Sequence, residues 1–404
     1  MLRSRAVALF FRQRCRVGAW GLAAALAVFS SASGATSKKD AAILGSGAVA
    51  QPDPALWPGV VLTPGDEPGG PVRRHYMWSN ERRHDIFFDD IQGLSGGYLG
   101  VGGDQNYTLA AAAASQVIWL VDIDREVVKL HKLYAALLQA AQDPQGFVAL
   151  FEKSKTAQIE AALGSVQPTL RKQLLVLYTQ YRQDLLSHLR DELSQPHTWL
   201  GDGKKFAYLR DMAQKQLIVP RLGDLNGPRT MQQIAQAAQN ARLPIRLIYL
   251  SNAESWFGYG AGFRKNMAAL PLDDRSCVLR TVKSDLLPYV RGDVWHYTAQ
   301  KGQHFVTKLA ERFYGSIDYV MLDAVQTEKK GLSHVGFAPL PDPPTDPKAA
   351  ARFGQAEKVR RQKLLSEGLV TRPAGNRENA AEFEEDRKQK AAQELQALEK
   401  RLGR

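Results

Sequence analysis

The chain has 404 residues, 44% hydrophobic and 23% charged, with a formal charge of +12. That length can bury the core of one large or two ordinary domains, and the balance belongs to globular chains rather than to those too polar to fold. Five positive charges, Arg3, Arg5, Arg12, Arg14 and Arg16, stand in the first 35 residues, which hold no acid, and the remaining +7 is spread thinly. A dispersed surplus of this size argues against a nucleic-acid partner and leaves a small molecule as the expected one.

The arginines precede an apolar run from Val17 to Phe29, and small residues follow from Ser30 to Ala35. This is the pattern of a cleavable secretory signal over residues 1–35, and the run is shorter than the ~20 residues of a membrane span. The expected location is therefore periplasmic or secreted, or cytoplasmic if the start is mis-assigned. Cleavage would remove Cys15 and leave Cys277 alone, so no intramolecular disulfide is expected, and no cysteine–histidine spacing suggests a metal site. Residues 36–74 are rich in Gly, Pro, Ala and Ser and read as a linker.

From about residue 75 the pattern alternates. Gly97 to Val101 reads as a buried strand entering a glycine turn, and Thr108 to Ser115 as an Ala-rich helix with Asn106 as its N-cap. Val117 to Val121 is a second strand, ending in Asp122-Ile123-Asp124. Glu126 to Ala141 then carries apolar residues at helical spacing, with Asp124 as cap. Such a β-α-β-α succession predicts a Rossmann-like α/β fold: an open, mostly parallel sheet with helices on both faces. Phe147 to Met212 reads as helical throughout, an insertion of about 147–212. Strands resume at Leu217 to Leu222 and Ile245 to Leu250, separated by a helix from Thr230 to Ala241, with further strands expected at Ser276 to Val282 and Tyr319 to Leu322. Five prolines between Pro339 and Pro347 open a charged tail over 336–404, expected to be solvated, in which Ala380 to Leu402 has a thin helical stripe.

Ligands of open α/β sheets bind at the carboxyl ends of strands, so residues there are the candidates. Gly100, Gly102, Gly103 and Asp104 form the turn after the first strand, where glycine lets backbone approach a ligand. Asp122 ends the second strand about twenty residues on, where a carboxylate can accept both hydroxyls of a ribose. Asp224 and Leu225 lie after the third strand. Ser251 and Asn252 end the fourth, and His84 and His296 lie in segments dense with polar and aromatic side chains, where a proton acceptor near neutral pH would suit.

The glycine turn, the acid after the second strand and the Gly223-Asp224-Leu225 segment resemble the cofactor motifs of class I S-adenosylmethionine-dependent methyltransferases. The runs SNERRHDIFFDDI, GGYLGVGGDQNYTLAA, DLNGPRTM, IYLSNAESWFGY, FRKNMAALPLDDRSCVLRT and VWHY are similar to a family of uncharacterised bacterial proteins of that fold, the LIC_10091 type, over roughly residues 75–335. The resemblance implies S-adenosylmethionine as cofactor. Gly100, Gly102 and Gly103 would meet its amino-acid end, Asp122 its ribose, and Asp224 and Leu225 its adenine. The usual acid before the glycines is replaced by Gly100, so Asp104 would have to supply the carboxylate for the cofactor's amino group. The export signal points instead to a non-enzymatic binding protein on a degenerate Rossmann scaffold. A dinucleotide oxidoreductase is a third reading, weakened by the missing third glycine.

Overall fold

The computed structural model describes residues 65–66, 76–284, 286–290, 292–337, 345–368 and 370. The proposed signal, most of the proposed linker and the Ala380 to Leu402 stripe lie outside them. The described chain runs β1 (Gly97–Val101), α1 (Gln105–Ala112), β2 (Val117–Asp122), α2 (Arg125–Ala140), α3 (Pro144–Ala149), α4 (Thr156–Ala162), α5 (Pro168–Ser194), α6 (Gly203–Gln214) and β3 (Ile218–Leu222). It continues with α7 (Thr230–Asn240), β4 (Ile245–Tyr249), α8 (Ala261–Ala269), β5 (Cys277–Val282), β6 (His296–Lys301), α9 (Gly302–Leu309), α10 (Ile317–Leu322), β7 (Val325–Gln326), β8 (Leu332–Val335) and α11 (Pro347–Glu367). Before β1, short helical turns cover His84–Phe87 and Phe88–Ile91.

The strands form one eight-stranded sheet in the order β3-β2-β1-β4-β5-β6-β8-β7. The first five are mutually parallel, and β6 reverses against β5. Strands buried on both faces read as continuous apolar runs, and Ile118, Trp119, Leu120 and Val121 are almost wholly inaccessible. The chain winds outward through β1, β2 and β3, then returns to β4 on the other side of β1. With right-handed crossovers, the helices of the two directions lie on opposite faces. The order reverses between β1 and β4, and a crevice opens at the carboxyl ends of strands flanking such a reversal.

Helix α2 buries Val127, Val128, Leu130, Leu133, Tyr134, Leu137 and Leu138, and Asp124 caps it by accepting the Glu126 N–H at 2.8 Å. The segment after α2 comprises α3 to α6. It shares an aromatic core with the sheet domain, Trp199 lying 5.1 Å from both Tyr107 and Phe147, centroid to centroid. Among the described residues, no helix is long and apolar enough to cross a membrane.

Two expectations are corrected, and the proposed tail and linker gain contacts among the described residues. Asn106 does not cap α1 but sits in its first turn, where its amide donates to the Val101 and Gly103 carbonyls at 2.9 and 2.7 Å. Tyr319 to Leu322 belongs to helix α10, started by Ser316, whose hydroxyl donates to Asp318. Four apolar residues fit a buried helix turn as well as a strand. The tail contains α11, with Pro347 in its first turn and Asp346 capping it, and Val370 is buried with its N–H on Asp318 at 3.0 Å. Within the proposed linker, Asp66 is 3% exposed. Its carboxylate accepts the Arg229 and Thr230 N–H groups at 2.9 and 3.0 Å, filling the anion site at the start of α7.

Asp66 thus caps a helix from a remote segment. Asp66→Ala is expected to cost about 1 kcal/mol in urea unfolding, the usual worth of a cap. An unchanged midpoint would mean that water satisfies α7 equally well.

Candidate functional site

Gly102 follows β1 with φ +84°, a conformation that side chains rarely adopt, and this aims its N–H at the end of the neighbouring strand. There it donates to Asp122 Oδ2 at 3.1 Å, while Asp122 Oδ1 accepts the Asp124 N–H at 2.8 Å. With the Ile123 N–H as a third, weaker backbone donor, the carboxylate keeps at least one lone-pair direction for a further donor. Burial pushes the Asp122 carboxyl up to about 6, against the backbone donors that favour its charge. Beneath the turn, His131 Nε2 lies 2.8 Å from the Gly102 carbonyl and Nδ1 3.0 Å from the Tyr107 hydroxyl. A carbonyl only accepts, so Nε2 carries the proton, and burial lowers the ring to about 4 and keeps it neutral. Gly100 serves packing: a Cβ there would collide with the Asn106 carboxamide, which also accepts the Tyr98 hydroxyl at 2.7 Å.

The helical segment closes over this turn. His188 of α5 places Nε2 2.9 and 3.1 Å from the two oxygens of buried Asp104. Burial disfavours both charges, yet their attraction wins, lowering Asp104 and raising His188 from their ordinary values. Trp78 stacks on the His188 ring at 5.5 Å, and its Cα stands 3.0 Å from where a Cβ on Gly103 would be. Glu192, one helical turn beyond His188, is raised to about 7, by burial first and then by the Asp104 charge. A carboxyl titrating there can take or give a proton at neutral pH.

A second polar centre stands at the ends of β4 and β5. Glu81 is buried, and its Oε1 accepts the Ser251 hydroxyl at 2.7 Å and the Thr281 hydroxyl. Its Oε2 accepts the Tyr249 hydroxyl and the Ser79 hydroxyl at 3.1 Å, with His84 Nε2 at 3.2 Å. Burial alone would raise this carboxyl, but the His84 contact and the hydroxyl donors together hold it below its ordinary value.

The structure thus brings Gly102, Gly103, Asp104 and Asp122 together and places His84 and Ser251 on Glu81. Asp224 turns its carboxylate onto the Asn226 N–H at 2.8 Å, and Leu225 is a core side chain. Asn252 precedes the short turn Ala253–Ser255, its backbone carbonyl accepting the Ser255 N–H at 3.0 Å. His296 has both nitrogens engaged, with the Pro288 carbonyl at 2.8 Å and the Ser333 hydroxyl at 2.9 Å. Sequence reasoning missed Glu81, His131, His188 and Glu192. Glu81 lay inside a flagged polar run, and His188 and Glu192 share one face of α5 by their four-residue spacing. Two open concavities of about 600 and 440 Å³ along α5 are lined by none of the predicted site residues.

A family model described as "Domain of unknown function (DUF7790)" matches residues 76–336. No curated protein matches the chain. Among solved structures, the rRNA methyltransferase AviRa from Streptomyces viridochromogenes is similar at 15% identity and a TM-score of 0.25, over 58% of this chain and 84% of that one.

The Asp104–His188 pair gives a pH signature. His188 is raised, so its contribution is complete below its ordinary 6.5 and lost as pH climbs through the raised value. Asp104 is lowered, so its contribution is complete above its ordinary 3.8 and lost on acidification below that. Between about pH 4 and 6.5, His188→Ala is expected to cost about 3 kcal/mol, the usual result of stranding one buried charge. Denaturant titrations showing the same loss at pH 9 as at pH 5.5 would contradict the pairing.

Proposed function

The chain belongs to the DUF7790 family, and we propose that its domain is a methyltransferase-like protein holding S-adenosylmethionine or a related nucleoside at the carboxyl ends of β1, β2 and β3. One observation carries this reading: the Gly102 N–H and the Asp122 carboxylate meet at 3.1 Å beside the strand-order reversal. The residues present fit the ribose end of such a ligand. The Asp122 carboxylate can accept a further donor, and ribose hydroxyls donating to it would lower a carboxyl that burial now holds near 6. Ile123, 39% exposed, offers apolar surface beside it. The amino-acid end fits less well, because Asp104 already pairs with His188.

When bound, S-adenosylmethionine supplies a methyl group on a sulfonium. The chain's own part is to bind and align. Asp122 would hold the ribose and the backbone of Gly102 and Gly103 would line the opposite end, while the backbone of Asp224 and Leu225 would border the adenine side. Trp78 would exclude water, and Glu192 would accept a proton from the nucleophile. Alignment alone supplies much of the rate in such transfers.

A specific observation favours a second reading, an exported binding protein without catalysis. Trp78, Glu81 and Asp66 from the chain's own N-terminal side occupy the glycine turn, the ends of β4 and β5, and the α7 anion site. Such a scaffold would need no cytoplasmic cofactor, in keeping with the signal pattern of residues 1–35. Fractionation separates the two: a processed, exported chain supports the second and an unprocessed cytoplasmic one the first.

Calorimetry with S-adenosylmethionine, its demethylated product and NAD tests the first reading directly. Binding of the two sulfur nucleosides but not NAD is expected. Asp122→Ala should weaken it about tenfold or more, since hydrogen bonds to a charged group are worth roughly 1.5–3 kcal/mol. No binding of either sulfur nucleoside by the wild type would end the proposal.

A further inference from the structure

The donors around Glu81 divide into two sets. Ser79 and His84 come from the same segment as Glu81. Tyr249, Ser251 and Thr281 belong to the ends of β4 and β5, so they form a wall fixed by the sheet. That wall offers three hydroxyls to two oxygens, Ser251 and Thr281 to one and Tyr249 to the other. None of the five partners is Lys or Arg. A planar two-oxygen anion suits this wall better than phosphate, which is usually met by fixed cations or a row of backbone N–H groups.

The position matters as much as the chemistry. The wall stands at the β4 side of the strand-order reversal, where open sheets take their ligands. Ser251 holds φ +49°, a left-handed conformation that is costly for a side chain other than glycine and that gathers at binding sites. Glu81 itself belongs to no strand of the sheet. Its segment includes Tyr76, 55% exposed, and Trp78, which leans on His188 of the helical segment.

We propose that the Tyr249–Ser251–Thr281 wall is a carboxylate-binding subsite, filled in the free protein by Glu81 and taken over by a ligand carboxylate when residues 79–82 lift away, the core side chains Met77, Ile86 and Phe87 staying in place. The ligand class is thus a molecule bearing a free carboxylate, placed beside the glycine turn but held by different residues. The subsite is independent of nucleoside binding: neither Asp122 nor Gly102 takes part.

Acetate is the probe, compared with chloride at equal ionic strength and constant pH, on the full chain. Glu81→Ala empties the wall, and acetate should then raise the melting temperature saturably by several degrees, because a ligand held only by the native state stabilises it. Glu81→Gln keeps the volume and guards against a variant that fails to fold. It weakens the resident contact by removing its charge. Acetate should then speed hydrogen exchange at the amides of residues 79–82 by about threefold or more as the segment is displaced. A saturable acetate effect in either variant supports the subsite. Acetate and chloride acting alike in every variant that folds overturns it. Because acetate is no nucleoside, failure of S-adenosylmethionine to bind would leave this result untouched.

Discussion

Two neighbouring strand ends must share one hydrogen bond, from the Gly102 amide to the Asp122 carboxylate, and much of the surrounding architecture follows from how that contact is enforced. The amide reaches across only because Gly102 turns left-handed. Below it, the neutral His131 fixes the Gly102 carbonyl. Beside it, the Asn106 carboxamide ties the Val101 and Gly103 carbonyls, and Gly100 must lack a side chain to leave it room. A backbone turn that would otherwise sample many conformations is thereby held in one, next to a carboxyl whose charge burial opposes.

The same end of the sheet is covered by the chain itself. Asp66 neutralises the start of α7, Trp78 lies between the glycine turn and His188, and Glu81 saturates a wall of hydroxyls. The Asp66 and Glu81 contacts are charged or polar rather than apolar plugs, and they differ in kind from the stacking of Trp78 and from the aromatic packing that fixes the helical segment to the sheet domain. Contacts of that sort exchange readily for a ligand's own polar groups, whereas a packed apolar plug would have to leave a cavity.

Much of the fold was legible because its signals are local. β1, β2 and α2 announced themselves through apolar runs and helical spacing, and the Asp124 cap through its place before α2. What stayed hidden depends on distant partners. Nothing in the composition around Asp66 shows that it caps a helix more than 160 residues away. His188 and Asp104 are far apart in sequence and meet only because α5 packs along α2 and brings His188 to the glycine turn, and Glu81 lies 200 residues from Thr281. The four apolar residues Tyr319 to Leu322 were ambiguous for a different reason, since a short run carries no period. The site was therefore half visible. Residues at strand ends could be read from the pattern, and the side chains that close over them could not.

The account rests most heavily on Asp122 being a desolvated carboxyl that awaits further donors. Carbon-detected NMR titration of its side chain, free and with S-adenosylmethionine, measures this directly. The account predicts titration near 6 in the free protein, falling toward the ordinary carboxylate value of 3.8 when ribose hydroxyls donate to it. A side chain that already titrates near 3.8 when free, or that stays near 6 with ligand present, would contradict it.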